Sequence, residues 1–292
     1  MSLFESVVGP IALRVIESTD QLNASAAELQ LEVREALRIL PDRREVYAGQ
    51  LCSNQQAVVA KRFLEHSKQA RDWRREWDGL VKLNALNLSA PTPLCVAEEV
   101  DGSAVWVIMA RIEGAVSVQD AFLEGDSDER TELAQQLAKL VDAAHRAGVR
   151  QGDQHVDNWA WDGARLYLLD AGSMEFSKYA LSERARLQDL AGICVTLAPE
   201  AECAFRSAIR SKYLVDDQAL KERLLDELDE AIVALQAERT QRYFKKTRRT
   251  CTEFVETEAE THYALYLRSA APELIEAFLS DPESLMLQGR RL

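Results

Sequence analysis

Three polar residues with a distinctive spacing stand out in the middle of the chain. Asp153 and Asn158 lie five positions apart in RQGDQHVDNWAW, and Asp170 ends the short apolar run YLLD, just before an Ala-Gly pair. Phosphoryl transfer uses one carboxylate close to the acceptor hydroxyl and oxygen ligands for the magnesium ions that hold the ATP phosphates. An Asp–Asn pair alone is common in turns. The whole order of loop, strand, turn, strand and Asp-x-Gly is much rarer and indicates a phosphoryl-transfer site.

The segments before this site have the pattern of a small sheet with one helix. REVYAGQL and AVVAKRFL read as two strands joined by a turn at CSNQQ. SKQARDWRREWDGLVKLNAL carries an apolar stripe at helical spacing. LCVAEEV and AVWVIMARI read as two more strands around the turn signal Asp101-Gly102. The fold class predicted from this order is α+β.

The rest of the chain has mostly helical patterns. ERTELAQQLAKLVDAAHRAG is amphipathic and ends at Gly148, and the chain from Leu181 onwards also reads as helical. Near the start, AAELQLEVREAL favours a helix. We therefore expect an N-terminal extension over residues 1–30, a small lobe over 31–112 and a larger helical lobe over 113–292. A nucleotide would bind in the cleft between the lobes.

Composition narrows the possible partners and the compartment. The 292 residues carry a net charge of −13, which argues against binding nucleic acid or a broad anionic surface. Neither a secretory signal nor an apolar run long enough for a membrane span is evident. The five cysteines are widely spread and odd in number, as in reduced cytosolic proteins. We expect a cytoplasmic protein, and peripheral contact with the inner membrane stays open.

The motif around Asp153 resembles a known family. RQGDQHVDNWAW resembles the HGDLHxxN loop of the bacterial lipopolysaccharide core kinases, the Kdo/WaaP group, and of choline and aminoglycoside kinases. LYLLDAG resembles their strand that ends in Asp-x-Gly. The resemblance covers roughly residues 40 to 200. It implies a two-lobed protein-kinase-like fold with a small β-rich N-lobe and a large helical C-lobe, and a phosphotransferase that uses ATP and Mg²⁺.

The resemblance also implies roles for individual residues. Asp153 would be the general base, and Asn158 and Asp170 the Mg²⁺ ligands. VVAKRF resembles the strand of the ATP-positioning lysine, here Lys61, with Glu76 of the next helix as its partner. The adenine-binding hinge would be formed by the backbone of Met109, Ala110, Arg111 and Ile112.

Some of these roles have ordinary alternatives. Lys61 could be a surface lysine at a strand end. Glu76 could be a solvated glutamate paired with a nearby arginine, and Glu65 is a rival for its role.

The sequence departs from the family pattern at two places. Gln151 stands where a histidine usually precedes Gly-Asp, which would change how the loop is anchored. No glycine-rich loop is present, and the turn that would cover the phosphates is LPDRRE, Leu40 to Glu45. Arg43 or Arg44 could contact the phosphates through side chains instead. A polar surface hairpin is the equally open alternative.

The acceptor implied by the resemblance is a sugar hydroxyl, heptose or Kdo, of the lipopolysaccharide inner core. The basic segment RYFKKTRRTC, residues 242–251, could hold such an anionic glycan or glycolipid, or could pair with the acidic helix before it. A small-molecule or protein kinase of the same fold is the alternative, although the short segment from Gly172 to Asp189 disfavours a protein substrate. A nucleotide-binding pseudokinase or scaffold is the rival from another class, because of Gln151 and the missing glycine loop.

Overall fold

The structure is a computed structural model that describes residues 10–22, 27–40, 44–64, 72–247, 250, 254–259, 262–269, 273, 275 and 276. The chain divides into two compact units, Met1–Asp229 and Glu230–Leu292. The expected lobe boundary near residue 112 falls inside the first unit and stays a prediction.

The first unit begins with a closed barrel of six antiparallel strands in the order β1-β2-β3-β4-β6-β5. The strands are β1 (Ile11–Ser18), β2 (Glu28–Leu40), β3 (Arg44–Leu51), β4 (Ala57–Leu64), β5 (Pro93–Glu99) and β6 (Ala104–Ala110). Apolar side chains from all six strands fill the interior, among them Leu13, Leu31, Tyr47, Ala60, Cys95 and Trp106. The four strands predicted between residues 44 and 112 are confirmed.

The start of the chain differs from the expectation. The helix favoured for AAELQLEVREAL is wrong, because from Glu28 onwards this segment is strand β2. Leu29 and Leu31 are buried while Gln30 between them is exposed, which is the period-two pattern of a strand. Strand β1, also within the expected extension, pairs with both β2 and β5 and closes the barrel.

In the described part of the chain, one helix lies between strands β4 and β5. Helix α1 spans Asp72–Ala85 and buries Glu76, Trp77, Leu80 and Leu83. Residues 67–71 of the predicted helix lie outside the described residues. Its position between β4 and β5 follows the predicted order of strand, strand, helix, strand, strand.

The remainder of the first unit is mainly helical, with short strands around the motif region. The helices are α2 (Val118–Glu124), α3 (Ser127–Arg146), α4 (Glu183–Thr196) and α5 (Pro199–Lys212). The short strands are β7 (Val116–Ser117), β8 (Val149–Arg150), β9 (Trp159–Trp161), β10 (Leu166–Leu168) and β11 (Glu175–Phe176). They form two small sheets, β10-β9-β7 and β11-β8. Helix α3 starts with a capping box between Asp126 and Glu129, which fixes where the helix begins.

The last elements are helix α6 (Gln218–Lys246) and an antiparallel hairpin of β12 (Phe254–Ala259) and β13 (His262–Leu267). The expectation of helix from Leu181 to the end is therefore wrong for this hairpin. Strand β12 contains Phe254, Val255 and Thr257 and strand β13 contains two tyrosines, and aromatic and β-branched residues favour strands. Of the basic segment, Arg242 forms an ion pair with Glu238 one helical turn earlier, at 2.7 Å. Arg248, Arg249 and Cys251 lie outside the described residues. Among the helices that the structure describes, none combines the length and the apolar character needed to cross a membrane.

Candidate active site

The amine of Lys61 connects strand β4 to two carboxylates from other elements. Its Nζ lies 2.6 Å from Glu76 Oε1 on helix α1 and 3.2 Å from Asp170 Oδ1 in the motif region. The side chains of Lys61 and Glu76 are only 10% and 1% exposed. Because so little water reaches this pair, the charges interact strongly and each depends on the other. Lys61 is therefore not a surface lysine, and Glu76 is not a solvated glutamate. Glu65, the rival for the role of Glu76, lies outside the described residues.

Glu76 also ties helix α1 to the turn that follows Asp170. Its Oε2 accepts a hydrogen bond from the backbone N–H of Gly172 at 3.0 Å. One turn further along the helix, Gly79 packs against the same turn, where a Cβ would lie 2.5 Å from Ala171 O. Only glycine permits this close approach of helix and turn.

Asp170 has a backbone conformation and a charge environment that are both unusual. Its φ of 52° and ψ of 54° lie in the left-handed region, which non-glycine residues seldom adopt. Besides Lys61, Arg44 Nη1 from β3 donates to Asp170 Oδ1 at 3.1 Å. Burial alone would favour the neutral acid, but the charges of Lys61 and Arg44 outweigh it and lower the pKa of Asp170. The carboxylate is therefore ionised at neutral pH.

Asn158 links the Asp153 loop to the strand that ends at Asp170. Its side-chain Nδ2 donates to the carbonyl of Asp153 at 2.8 Å, and its own carbonyl accepts from Leu169 N at 2.8 Å. Asp153 itself is exposed. Next to it, Gly152 approaches the other turn so closely that a Cβ would lie 2.1 Å from Ser173 O. These contacts thus join the Asp153 loop to the strand and the turn on either side of Asp170.

The motif residues border two cavities that share one wall. The first, of about 340 Å³, is lined by apolar residues that include Leu37, Val46, Val59 and Leu169, and by the polar residues Lys61, Glu76, Asn158 and Asp170. The second, of about 450 Å³, contains Asp153. Arg44, Glu76 and Asp170 line both cavities. A molecule in the first cavity and another in the second would meet at Asp170.

Met109, Ala110, Arg111 and Ile112 all line the first cavity. Two of their amides are already used, because Ala110 N donates to Thr92 O at 2.9 Å and Arg111 N to Ala57 O at 3.1 Å. In the described part of the chain the N–H of Ile112 meets no acceptor. Of the two amides after Ala110, Ile112 is therefore the better candidate to bind a base edge.

A buried polar network supports the Asp153 loop from behind. Asp189 of α4 accepts from Gln154 Nε2 at 3.0 Å and contacts His145 Nε2 at 2.9 Å, and His145 Nδ1 lies 2.7 Å from the hydroxyl of Tyr213. Burial raises the pKa of Tyr213 to about 12, so this hydroxyl stays protonated. The loop is thus anchored through Gln154. Gln151 is buried, and neither polar atom of its side chain bonds to a residue that the structure describes.

Arg44 and Trp159 are the cavity residues whose position the sequence did not reveal. Arg44 was one of two candidates in the turn at residues 40–45, whereas Pro41, Asp42 and Arg43 lie outside the described residues. Its place follows from the register of β3 and β4, which sets Arg44 opposite Phe63 with the guanidinium 5.9 Å from the ring centre. Trp159 is buried, as expected for core packing, and it also lines the first cavity.

The donor set is compatible with a magnesium ion. Asn158 offers an amide oxygen and Asp170 an ionised carboxylate on the wall of the first cavity, and Mg²⁺ prefers hard oxygen ligands. Among the described residues no group of three or more His, Cys, Asp or Glu side chains could hold a metal ion. Few protein ligands are usual where phosphate oxygens and water complete the Mg²⁺ shell.

No family model and no curated protein matches the sequence. Many solved structures resemble the chain in backbone path, among them two that each have 15% sequence identity and a TM-score of 0.47. One is the ROP18 kinase domain in complex with AMP-PNP and sucrose, with 80% of this chain and 87% of that chain covered. The other is an aminoglycoside-3'-phosphotransferase of type VIII, with 69% and 93% covered.

The architecture is α+β, as the sequence predicted. A β-rich N-terminal region that includes the helix of Glu76 precedes a helical region, and the loop of Asp153 and the turn of Asp170 follow helix α3. This order of elements and the contacts of Lys61 agree with the kinase-like arrangement that the sequence predicted.

Proposed function

We propose that this chain is an ATP-dependent phosphotransferase. The observation that carries the proposal is the position of Lys61, whose amine contacts both Glu76 and Asp170 on the wall of one cavity. A buried lysine held by a helix carboxylate is what phosphate positioning requires, since it supplies a fixed positive charge. An ionised Asp170 next to it supplies the opposite charge for a cation.

ATP would occupy the first cavity. The adenine would lie against the apolar residues that include Val46 and Val59, and the N–H of Ile112 would donate to its edge. Lys61 would contact the phosphates. Asn158 and Asp170 would hold Mg²⁺, which supplies charge neutralisation for the phosphate oxygens when bound.

Asp153 would act on the acceptor in the second cavity. Its carboxylate takes the proton from the acceptor hydroxyl as the oxygen attacks the terminal phosphorus of ATP. The bond from that phosphorus to the bridging oxygen breaks, and ADP leaves with the electron pair. A positioned base of this kind contributes roughly 10²–10⁴-fold to the rate. Arg44, which lines both cavities, would contact the transferred phosphoryl group in place of the absent glycine loop.

For the acceptor we propose a sugar hydroxyl, heptose or Kdo, of the lipopolysaccharide inner core. Its support is the resemblance of the Asp153 loop and the presence of Arg44 and Arg75 on the second cavity, where anionic groups could bind. A glycolipid acceptor would bring this otherwise cytoplasmic protein to the inner membrane as a peripheral protein. The second candidate is a small cationic acceptor, favoured by Asp72 and Glu175 on the same cavity.

The test compares wild type with Asp153→Asn. Thermal-shift titration with MgATP measures nucleotide binding, and radiolabelled phosphate transfer is measured to core oligosaccharides and to a panel of amino sugars. We expect both proteins to bind MgATP and turnover to fall roughly 10²–10⁴-fold in the variant. Asp216→Asn, which changes an exposed carboxylate with a side chain 82% accessible, is the control.

Three results would contradict this proposal or part of it. If Asp153→Asn transfers phosphate as fast as wild type, Asp153 is not the general base. MgATP binding without transfer or hydrolysis by wild type favours the pseudokinase. If phosphate is transferred only to amino sugars, the acceptor is the small cationic molecule and not the lipopolysaccharide core sugar.

A further inference from the structure

We propose that Glu17, on the strand that closes the barrel, is a positioning residue that holds helix α1 where Glu76 reaches Lys61. The consequence for turnover rests on the proposed function, whereas the effect on the helix does not. Glu17 accepts two hydrogen bonds from α1, one from Trp77 Nε1 to Oε1 and one from Arg74 Nη1 to Oε2, both at 2.6 Å.

The two donors flank Glu76 within one helical turn. Arg74 and Trp77 are three residues apart and therefore share a helix face, whereas Glu76 points along a different face toward Lys61 and Gly172. Since the helix is rigid over one turn, the two contacts with Glu17 set the rotation of α1 about its axis. That rotation decides where the carboxylate of Glu76 lies.

The Trp77 contact makes this attachment specific. The indole is only 1% exposed, and a buried indole N–H needs an acceptor. Glu17 is charged at neutral pH, because burial raises its pKa but the hydrogen bonds from Trp77 and Arg74 outweigh that effect and lower it. Arg74 is also 3.7 Å from Asp78, so Trp77 is the donor that depends most on Glu17.

Strand β1 is suited to this role by its place in the sheet. It pairs with β2 on one side and β5 on the other, so the closed barrel fixes it along both edges. Its register against β5 shifts between Val15 and Glu17. Such a bulge re-aims side chains, which accounts for a glutamate at the end of an apolar strand contacting a helix.

Helix α1 is consequently held from two directions. Glu17 holds it from the barrel side, and Gly172 and Ala171 contact Glu76 and Gly79 on the other side. With both contacts made, the carboxylate of Glu76 is held within hydrogen-bond distance of Lys61. Strand β1, which the sequence analysis placed in an N-terminal extension, thus contributes to the position of helix α1.

The experiment uses the full chain with Glu17→Ala and Trp77→Phe. The second variant keeps an aromatic ring at this position and removes the N–H together with one ring of the indole, so it tests the same contact from the helix side if the first variant folds poorly. Arg14→Ala is the matched control, because it removes the ion pair with Glu98 between β1 and β5 without touching α1. NMR of isotope-labelled lysine side chains, assigned with Lys61→Arg, reports the environment of Lys61 without nucleotide.

In both variants we expect the Lys61 signal to move toward its position in Glu76→Gln, while Arg14→Ala leaves it unchanged. With MgATP we expect kcat/KM to fall by up to about 100-fold, as a misplacement of about 1 Å causes, with most of the loss in KM for ATP. A Lys61 signal that stays in place in both variants overturns the inference. A moved signal in a chain whose wild type shows no turnover upholds it and instead overturns the proposed function.

Discussion

Arg44 Nη1 and Lys61 Nζ both contact one oxygen of Asp170, and the arginine and the aspartate are 126 residues apart in the chain. The contact between Arg44 and Asp170 connects the start of β3 to the turn after β10. It places a guanidinium at the border between the two cavities, where a transferred phosphoryl group would pass.

Replacing Arg44 tests whether its side chain binds the ATP phosphates in place of the absent glycine-rich loop. We expect Arg44→Ala to raise KM for ATP by roughly 10- to 100-fold, since a hydrogen bond to a charged group is worth about 1.5–3 kcal/mol. Arg44→Lys keeps the positive charge but loses the planar guanidinium group, so its KM for ATP should lie between those of wild type and Arg44→Ala. Steady-state kinetics at saturating acceptor measures this. Arg34→Ala, an exposed arginine of β2, is the control. Equal KM values for wild type and Arg44→Ala would leave Arg44 with a structural role only.

The buried pair of Lys61 and Glu76 predicts that a double variant can regain stability without regaining activity. Lys61→Met leaves the Glu76 carboxylate buried without its cation, which should cost about 3–5 kcal/mol of unfolding free energy. Adding Glu76→Leu should recover part of this loss, because an apolar pair needs no charge partner. Both proteins should lack turnover.

Urea unfolding and phosphate-transfer assays check the two parts. Lys139→Met, which changes an exposed lysine of α3, should stay within about 0.5 kcal/mol of wild type. A double variant no more stable than Lys61→Met would show that Glu76 is held mainly by Gly172 rather than by the lysine.

Asp170 predicts an acid-dependent contribution to stability. Its folded pKa lies below the unfolded value of about 3.9, so the unfolded chain binds more protons in that range. The stabilisation is therefore fully present well above pH 4 and is lost as the pH falls below about 4 through the folded pKa. The difference in unfolding free energy between wild type and Asp170→Asn, measured by urea titration from pH 7 to pH 3, should shrink at the acid end. A difference that is constant over this range would contradict the prediction.

Much of the local structure could be predicted because it depends on near neighbours in the chain. AVVAKRFL has the apolar run of a strand, and the stripe around Trp77 and Leu80 has the spacing of a helix face. The segment AAELQLEVREAL was misread because its apolar residues fit both a helical period and a period of two. The strand prevails since Leu29 and Leu31 find partners in the barrel interior, and those partners are far away in sequence.

By itself the sequence determined which residues could do chemistry, namely Asp153, Asn158, Asp170 and a strand lysine, and the order of most elements around them. Only the tertiary structure decided that Lys61 meets Asp170 across 109 positions, that Arg44 lines both cavities, and that Glu17 holds the helix of Glu76. The reason is physical. Strand and helix patterns are properties of short segments, whereas an ion pair between distant residues exists only once burial of the barrel core has compensated for the entropy of closing the chain between them.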